Sequence, residues 1–320
     1  MVRRFLIFAL SFGLASWVGG CLCLAQAISF AGLGIRPAYP EPSQPLTRSW
    51  FIYQLASGES KDDAVVVSNN SSRRIKAKLY AVDATTTKDG AFALLGEKDS
   101  QQGIGAWVKL AADAISLAAG EEKIVPFKIT LPATIKAGDY LGGVVVEDST
   151  VNQDKGINMV TRVGVRIYET VPGELVSKLG LKDFFWKLSG SKPVFYLRLA
   201  NEGNLRLTPK GKLKIKTLFL GQTLYVKEAD LGIILPGKEI TVPLIWPKAW
   251  SAGVFLAEVG VVDVEGGKEI NRTLKFAYLN QGAKRVMIAF FVFSILALVC
   301  LLYSGRRRGK GYFRKRKLYF

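Results

Sequence analysis

Hydrophobic and polar positions alternate along most of this chain, and glycine, proline, asparagine and serine interrupt the alternation at short intervals. The stretch Arg74–Leu79 shows it most plainly. Ile75, Ala77 and Leu79 fall on one face and Arg74, Lys76 and Lys78 on the other, as a half-buried strand requires, because successive side chains point to opposite faces. Runs of this kind predict strands at Trp50–Leu55, Ala64–Val67, Ile124–Leu131, Tyr140–Glu147 and Met159–Tyr168. A second set is predicted at Val194–Ala200, Lys212–Leu220, Ile240–Trp246, Phe255–Val264 and Thr273–Leu279, with the division at Val171-Pro172-Gly173. Short strands with frequent turn signals predict an all-β chain: two tandem immunoglobulin-like β-sandwich domains, over residues 28–170 and 171–283. Whether their junction is rigid or hinged stays open at this level. The stretch from Asp83 to Gly105 is polar and punctuated by glycine, and reads as a loop or hairpin excursion of the sort that carries function on a rigid scaffold.

The two ends follow a different pattern. Val286–Tyr303 is a run without charge, proline or glycine, and at about 1.5 Å per residue it matches the roughly 30 Å hydrocarbon thickness of a bilayer. It is flanked by Lys284 and Arg285 and followed by Arg306, Arg307, Arg308, Lys310, Arg314, Lys315, Arg316 and Lys317. Basic residues after an apolar span mark a cytoplasmic end. The reading is a single membrane helix over 284–305, in contact with lipid through Val286–Tyr303, a basic cytoplasmic tail over 306–320, and everything earlier outside. At the amino terminus, Arg3 and Arg4, the apolar stretch Phe5–Leu24 and Ala25-Gln26-Ala27 form the parts of a secretory signal over 1–27. Cleavage after Ala27 is preferred; lipidation at Cys21, twin-arginine export and an uncleaved anchor stay open.

Composition narrows the chemistry. The net charge is +18, yet twelve of the 44 basic residues sit at the two ends, so the 28–283 body carries a modest positive excess over its 26 acids. Such a body suits an anionic neighbourhood, and the basic tail reads as an orientation signal rather than a nucleic-acid contact. There is no histidine, which excludes Ser-His-Asp and Cys-His chemistry. The three cysteines, Cys21, Cys23 and Cys300, lie in the apolar end segments, leaving the body without a disulfide or thiol nucleophile. The neighbouring acids Asp62-Asp63, Glu121-Glu122 and Glu147-Asp148 point to opposite faces of their strands and do not converge as a catalytic pair. The expectation is a non-enzymatic protein with no cofactor and no metal.

Several phrases keep the order and approximate spacing of one family: Gly34-Ile35-Arg36-Pro37, Gly58-Glu59-Ser60, Val67-Ser68-Asn69, Trp107-Val108-Lys109-Leu110, Leu117-Ala118-Ala119-Gly120-Glu121, Val125-Pro126-Phe127, Leu131-Pro132, Ala137-Gly138-Asp139-Tyr140-Leu141-Gly142-Gly143-Val144 and Arg162-Val163-Gly164-Val165-Arg166. Together they resemble the amino-terminal domain of the WxL-interacting cell-surface proteins of bacteria. The resemblance implies a surface module that associates with peptidoglycan and with other wall proteins; it carries over no residue of defined chemical role. In the second half, Leu199-Ala200-Asn201-Glu202-Gly203-Asn204, Leu235-Pro236-Gly237, Trp246 and Gly253-x-Phe255-x-Ala257 resemble a recurrent bacterial surface immunoglobulin-like module. A second β domain, one membrane helix and a basic tail complete the same layout.

Candidate contact residues follow from the one-sided basic strands. Arg74, Lys76 and Lys78, and likewise Lys212, Lys214 and Lys216, would face anionic wall polymer; the plain alternative is a solvated strand face whose lysines discourage edge-to-edge pairing. Trp246 and Trp250 flank a proline turn, and core packing is the expectation for both, an exposed one being a partner contact. Acceptor sequons stand at Asn69, Asn70 and Asn271 and matter only in a glycosylating pathway. A different function on the same architecture, a fimbrial-type chaperone or assembly factor that lends a strand to a client, is the runner-up.

Overall fold

The computed structural model describes residues 29–30, 32–149, 162–250, 252–264 and 269–315, with side chains from 32 to 303. The segment 1–27 expected to be a signal, the Met159–Thr161 start of one predicted strand and the side chains of the basic tail lie outside these.

Two stacks of antiparallel strands follow one another. The first comprises β1 (Ser29–Phe30), β2 (Leu33–Pro37), β3 (Trp50–Tyr53), β4 (Ser60–Asn69), β5 (Ile75–Thr86), β6 (Phe92–Leu94), a single helical turn α1 (Ile104–Trp107), β7 (Val108–Leu110), β8 (Ala114–Leu117), β9 (Glu122–Thr130), β10 (Gly138–Asp148) and β11 (Arg162–Val171). One sheet runs β1-β2-β4-β9-β7; the other runs β3-β11-β10-β5-β6, with β8 also on β5. All pairs are antiparallel except β3 on β11. The second stack has β12 (Leu179–Ser189), β13 (Lys192–Asn201), β14 (Pro209–Thr217), β15 (Thr223–Asp230), β16 (Glu239–Ile245), β17 (Ala252–Asp263) and β18 (Ile270–Leu279), in sheets β12-β13-β16 and β15-β14-β17-β18. The chain continues into α2 (Gln281–Lys315), whose Gln281–Tyr303 part is long and apolar enough to cross a membrane and is not buried against either stack. The all-β sandwich expectation, with a terminal apolar helix, holds.

Each sandwich buries the inward half of its alternation. Ile75, Ala77 and Leu79 share one core with Val65, Val67 and Phe127 of the facing sheet and with Val144 of the neighbouring strand, and Phe51 packs edge-on against Phe127 with ring centroids 5.2 Å apart. In the second core Trp246, Phe195, Phe255 and Phe276 form one aromatic cluster; Phe276 lies 5.1 Å from Phe195 and 5.4 Å from Phe255. A side chain of this kind contributes about 1.5–3 kcal/mol by burial, so the folds stand without a disulfide.

The two sandwiches share a corner device. Asn69, fully buried, donates to the carbonyls of Arg73 (2.7 Å), Leu117 (3.2 Å) and Ala118 (2.8 Å), and accepts from the Ser71 N–H. Asn201 does the same in the second stack, donating to Leu205 (2.7 Å) and Ile234 (2.9 Å) and accepting from Gly203 N–H. Each side chain satisfies backbone groups that a strand-to-loop corner would strand, at about 1 kcal/mol per bond. This role also removes Asn69 as a glycan acceptor.

The stacks are joined at more than the covalent link. Asp139, with 2% of its side chain exposed, accepts from Arg206 through both its backbone N–H (2.8 Å) and its guanidinium (3.0 Å), and from Thr170 Oγ1 (2.7 Å). The Arg206 guanidinium sits over the Tyr168 ring. Leu141 and Tyr168 from the first stack and Leu235 from the second form a small third core with Trp50, Phe92 and Ile233. Backbone bonds add to it: Ile233 N–H to Gly90 O (2.9 Å), Thr241 N–H to Lys88 O (2.7 Å) and Asp139 N–H to Asn204 O (2.8 Å). Gly90 and Gly232 both take positive φ where their backbones touch, and a Cβ on Gly90 would stand 2.6 Å from Leu231 O.

Candidate binding face

The Asp83–Gly105 excursion is an ordered flap. β5 runs on to Thr86 and turns back as β6, and Asp83 pins the return: its carboxylate accepts from the N–H groups of Gln102 (2.6 Å), Gly103 (2.9 Å) and Gly105 (2.8 Å). Polar side chains bonding to the backbone set the turn of this loop, and apolar ones seat its returning arm. Its tip at Lys88–Gly90 touches the second sandwich through the bonds named above, and its returning arm crosses the outer face of β10 and β11. Leu94 fills the space left by Gly143 and Gly164; a Cβ at Gly164 would stand 2.6 Å from its Cδ1. Those two glycines belong to the phrases that carried the family resemblance, and close approach of the flap is their physical reason.

Around the flap, cations and aromatic rings interleave. The strand register lines up Lys78, Glu147 and Arg162 across β5, β10 and β11, and Gly143, Arg166 and Trp50 across β10, β11 and β3. The Arg166 guanidinium lies 4.1 Å from the Phe92 ring centre and 5.7 Å from that of Trp50. Arg162 donates to Leu95 O and sits over Tyr80, whose hydroxyl donates to Glu147 (2.8 Å). Burial and that carboxylate push the Tyr80 phenol up to about 12. Contacts of a cation with a ring are each worth about 0.5–1 kcal/mol.

The six residues singled out in the sequence separate into two cases. Arg74 and Lys76 are exposed, as the alternation requires, while Lys78 pairs with Glu97 of the flap at 2.7 Å. On the second sandwich Lys212 pairs with Glu228 across to β15 (2.6 Å) and Lys216 with Glu258 across to β17 (2.8 Å); Lys214 stands opposite Glu258 in the register. A depression of about 530 Å³ there is lined by Lys210, Lys212, Glu228, Asp230 and Glu269, so both charge signs share it. The two basic triplets, separated by more than a hundred residues, are not brought together. Arg162 and Arg166 were missed as contacts, although their alternation around Gly164 carried the signal. Of the two tryptophans, Trp246 is in the core, whereas Trp250 is 49% exposed. Core packing for both is thereby corrected: Trp250 lies in the loop between β16 and β17, outside the strand alternation that buries Trp246.

Residues 34–148 match the family model described as WxL Interacting Protein, peptidoglycan binding domain. The family expected from the sequence is the one found, at the place expected, and it is a family of binding domains rather than of enzymes. No curated protein matches the chain. Among solved structures, a chain of a chaperone–tip adhesin complex of CFA/I fimbriae biogenesis is 15% identical, with a TM-score of 0.38, covering 78% of this chain and 100% of that one. The Escherichia coli chaperone DraB is 12% identical at a TM-score of 0.36, covering 75% and 95%. The complex of the Salmonella enterica SafA pilin with the SafB chaperone gives 12% and 0.37, covering 78% and 98%. At such scores no functional conclusion follows from these likenesses.

Proposed function

We propose that this chain is a non-enzymatic, membrane-anchored cell-surface protein whose first domain, within 28–170, binds peptidoglycan or an anionic wall polymer, and whose second, over 171–283, holds it close to the membrane. The observation that carries this reading is the match of residues 34–148 to a peptidoglycan binding domain, in a chain whose last strand leads into a membrane-length apolar helix. Both domains are immunoglobulin-like in this reading; the basic tail lies in the cytoplasm and the amino-terminal segment directs export. Arg74, just before β5, and the exposed Lys76 within it, with Lys78 and the flap beside them, are the contacts assigned to wall polymer. Other surface proteins are the second class of partner.

The test is retention of the detergent-solubilised full chain on peptidoglycan sacculi. Retention that weakens with salt, and further in the Arg74→Glu/Lys76→Glu variant, is expected, because salt screens exposed charges beyond about 10 Å. A wild-type chain that ignores sacculi but retains one specific surface protein would sink the wall reading, and strand exchange with a pilin-like client would replace it with a chaperone.

A further inference from the structure

The second sandwich is polarised along its strands, and its α2 end is unlike the rest of the body. β18 ends at Leu279 and α2 starts at Gln281 with no linker: Asn280 caps the helix, its side chain accepting from Ala283 N–H at 2.7 Å and its carbonyl from Lys284 N–H at 3.0 Å. Just before it, buried Tyr278 donates its hydroxyl to Ser191 O (2.6 Å), tying the helix root to the β12–β13 turn. The register brings two more loops to this end. Ala252 pairs with Leu279 and Phe255 with Thr217, and Leu218 N–H bonds to Val254 O at 3.0 Å. The β14–β15 turn and the segment before β17 therefore end level with the start of α2.

These loops carry Phe219, 86% exposed, and Leu220, 83% exposed; no other large apolar side chain among the described residues is as exposed, those of α2 included. Leu188, Trp250 and Val254 are about half exposed at the same end. The four segments 187–192, 217–223, 246–252 and 279–285 contain Lys187, Lys192, Lys248, Lys284 and Arg285 and no acid. The opposite end of the same sandwich carries Glu202, Asp230, Glu239 and Asp263. An acid-free surface of exposed aromatic, leucine and lysine side chains is the chemistry of a bilayer interface, where rings and leucines enter the headgroup boundary and lysines meet anionic lipid.

We propose that this end of the second sandwich is a lipid-docking surface that seats on the membrane crossed by α2; the inference rests on reading α2 as the anchor. The spacing fits. Gln281 to Arg285 separate the sandwich from the apolar run beginning at Val286, about 7.5 Å at 1.5 Å per residue, against a headgroup layer of about 5–7.5 Å on each side of the hydrocarbon core. Docking at several loops besides the helix fixes the tilt of the body over the membrane, which a lone helix would leave free.

The experiment uses the full chain in nanodiscs of phosphatidylcholine and phosphatidylglycerol, with Cys21, Cys23 and Cys300 each replaced by serine. Nitroxides are placed one at a time at Phe219→Cys, Phe293→Cys and Lys98→Cys, and their accessibility to oxygen and to a water-soluble nickel chelate is compared. The expected result is an oxygen-to-nickel ratio at position 219 several-fold above that at position 98, with position 293 at acyl-chain depth. If 293 is in the acyl region while 219 is as aqueous as 98, the docking proposal is overturned and the anchor stands. If 293 is itself aqueous, the anchor reading fails and the docking proposal falls with it. Because Leu220 remains in every labelled chain, a second arm adds Leu220→Ser to the Phe219→Cys label. A drop of the ratio toward the position 98 value supports docking by this loop, and an unchanged ratio overturns it.

Discussion

Glu169 is the buried acid on which the pH dependence of this fold should turn. It stands on β11 facing into the first sandwich, 1% exposed; one carboxylate oxygen accepts from Leu55 N–H at 2.8 Å, and the other has no hydrogen-bond partner among the described residues. Burial, helped by the nearby Asp139 and Glu59 carboxylates, pushes its pKa from 4.5 to about 7. The folded chain therefore holds a proton that the unfolded chain releases between those values. Its stability contribution is complete below about pH 4.5 and lost as pH rises through 7. At about 1.36 kcal/mol for each pH unit separating the folded from the unfolded pKa, the loss amounts to roughly 3 kcal/mol. Glu169→Gln removes the titration while keeping an acceptor for Leu55. The stability of the variant relative to the parent should rise by about 3 kcal/mol between pH 4.5 and 8, some 6–12 °C in Tm at 2–4 °C per kcal/mol. Thermal unfolding of the full chain in detergent, followed across that range, measures it. Parallel curves for parent and variant would refute the reasoning, because they would mean that Glu169 is ionised in the fold or that the site admits enough water to solvate it.

Two further outcomes follow from the junction and the flap. Arg206→Met leaves Asp139 buried without its cation, a change that costs about 3 kcal/mol. Cleavage by protease within Pro172–Lys178 should accelerate, and Asp139→Asn in the same chain should restore part of the loss; parent-like cleavage would show that the ion pair does not hold the sandwiches together. Leu94→Asp places a charge over Gly143 and Gly164 and should release the flap, lowering exchange protection of the Leu95 amide about tenfold for each 1.4 kcal/mol lost, while the β4 and β9 amides stay protected. Unchanged protection at Leu95 would mean that Asp83 alone closes the loop.

The elements legible in the sequence are those whose alternation or apolar run is unbroken. β5 and β17 present apolar side chains at every second position and β10 is a short apolar run buried on both faces, and the centres of all three match the predicted strands. β12 escapes the pattern for a specific reason: a bulge between Leu181 and Asp183 switches the inward face from Leu179 and Leu181 to Phe184 and Trp186. No single period of two spans that strand. β15 escapes it because an edge strand with charged residues such as Glu228 and Asp230 in its alternation resembles a loop in composition. The flap is legible as an excursion but not as a structure, since its order comes from Asp83 and Gln101 bonding to backbone groups. Polar anchoring of that kind leaves no periodic trace.

Local order in the chain was enough to determine the all-β class, the burial of Ile75, Ala77 and Leu79, the exclusion of histidine and thiol chemistry, and the membrane-length apolar run, because each depends only on composition or on the spacing of near neighbours. It was also enough to indicate the family of the first domain, through phrases whose glycines the flap later explains. Only the tertiary structure decided that Lys78, Lys212 and Lys216 are held in ion pairs, that Asp139 meets Arg206, that Trp250 is exposed, and that Phe219, Leu220, Lys192 and Lys248 share the α2 end of the second sandwich. Those are meetings between residues far apart in sequence. They are set by strand register, and a register is chosen by the packing of whole sheets, which no single stretch of sequence contains.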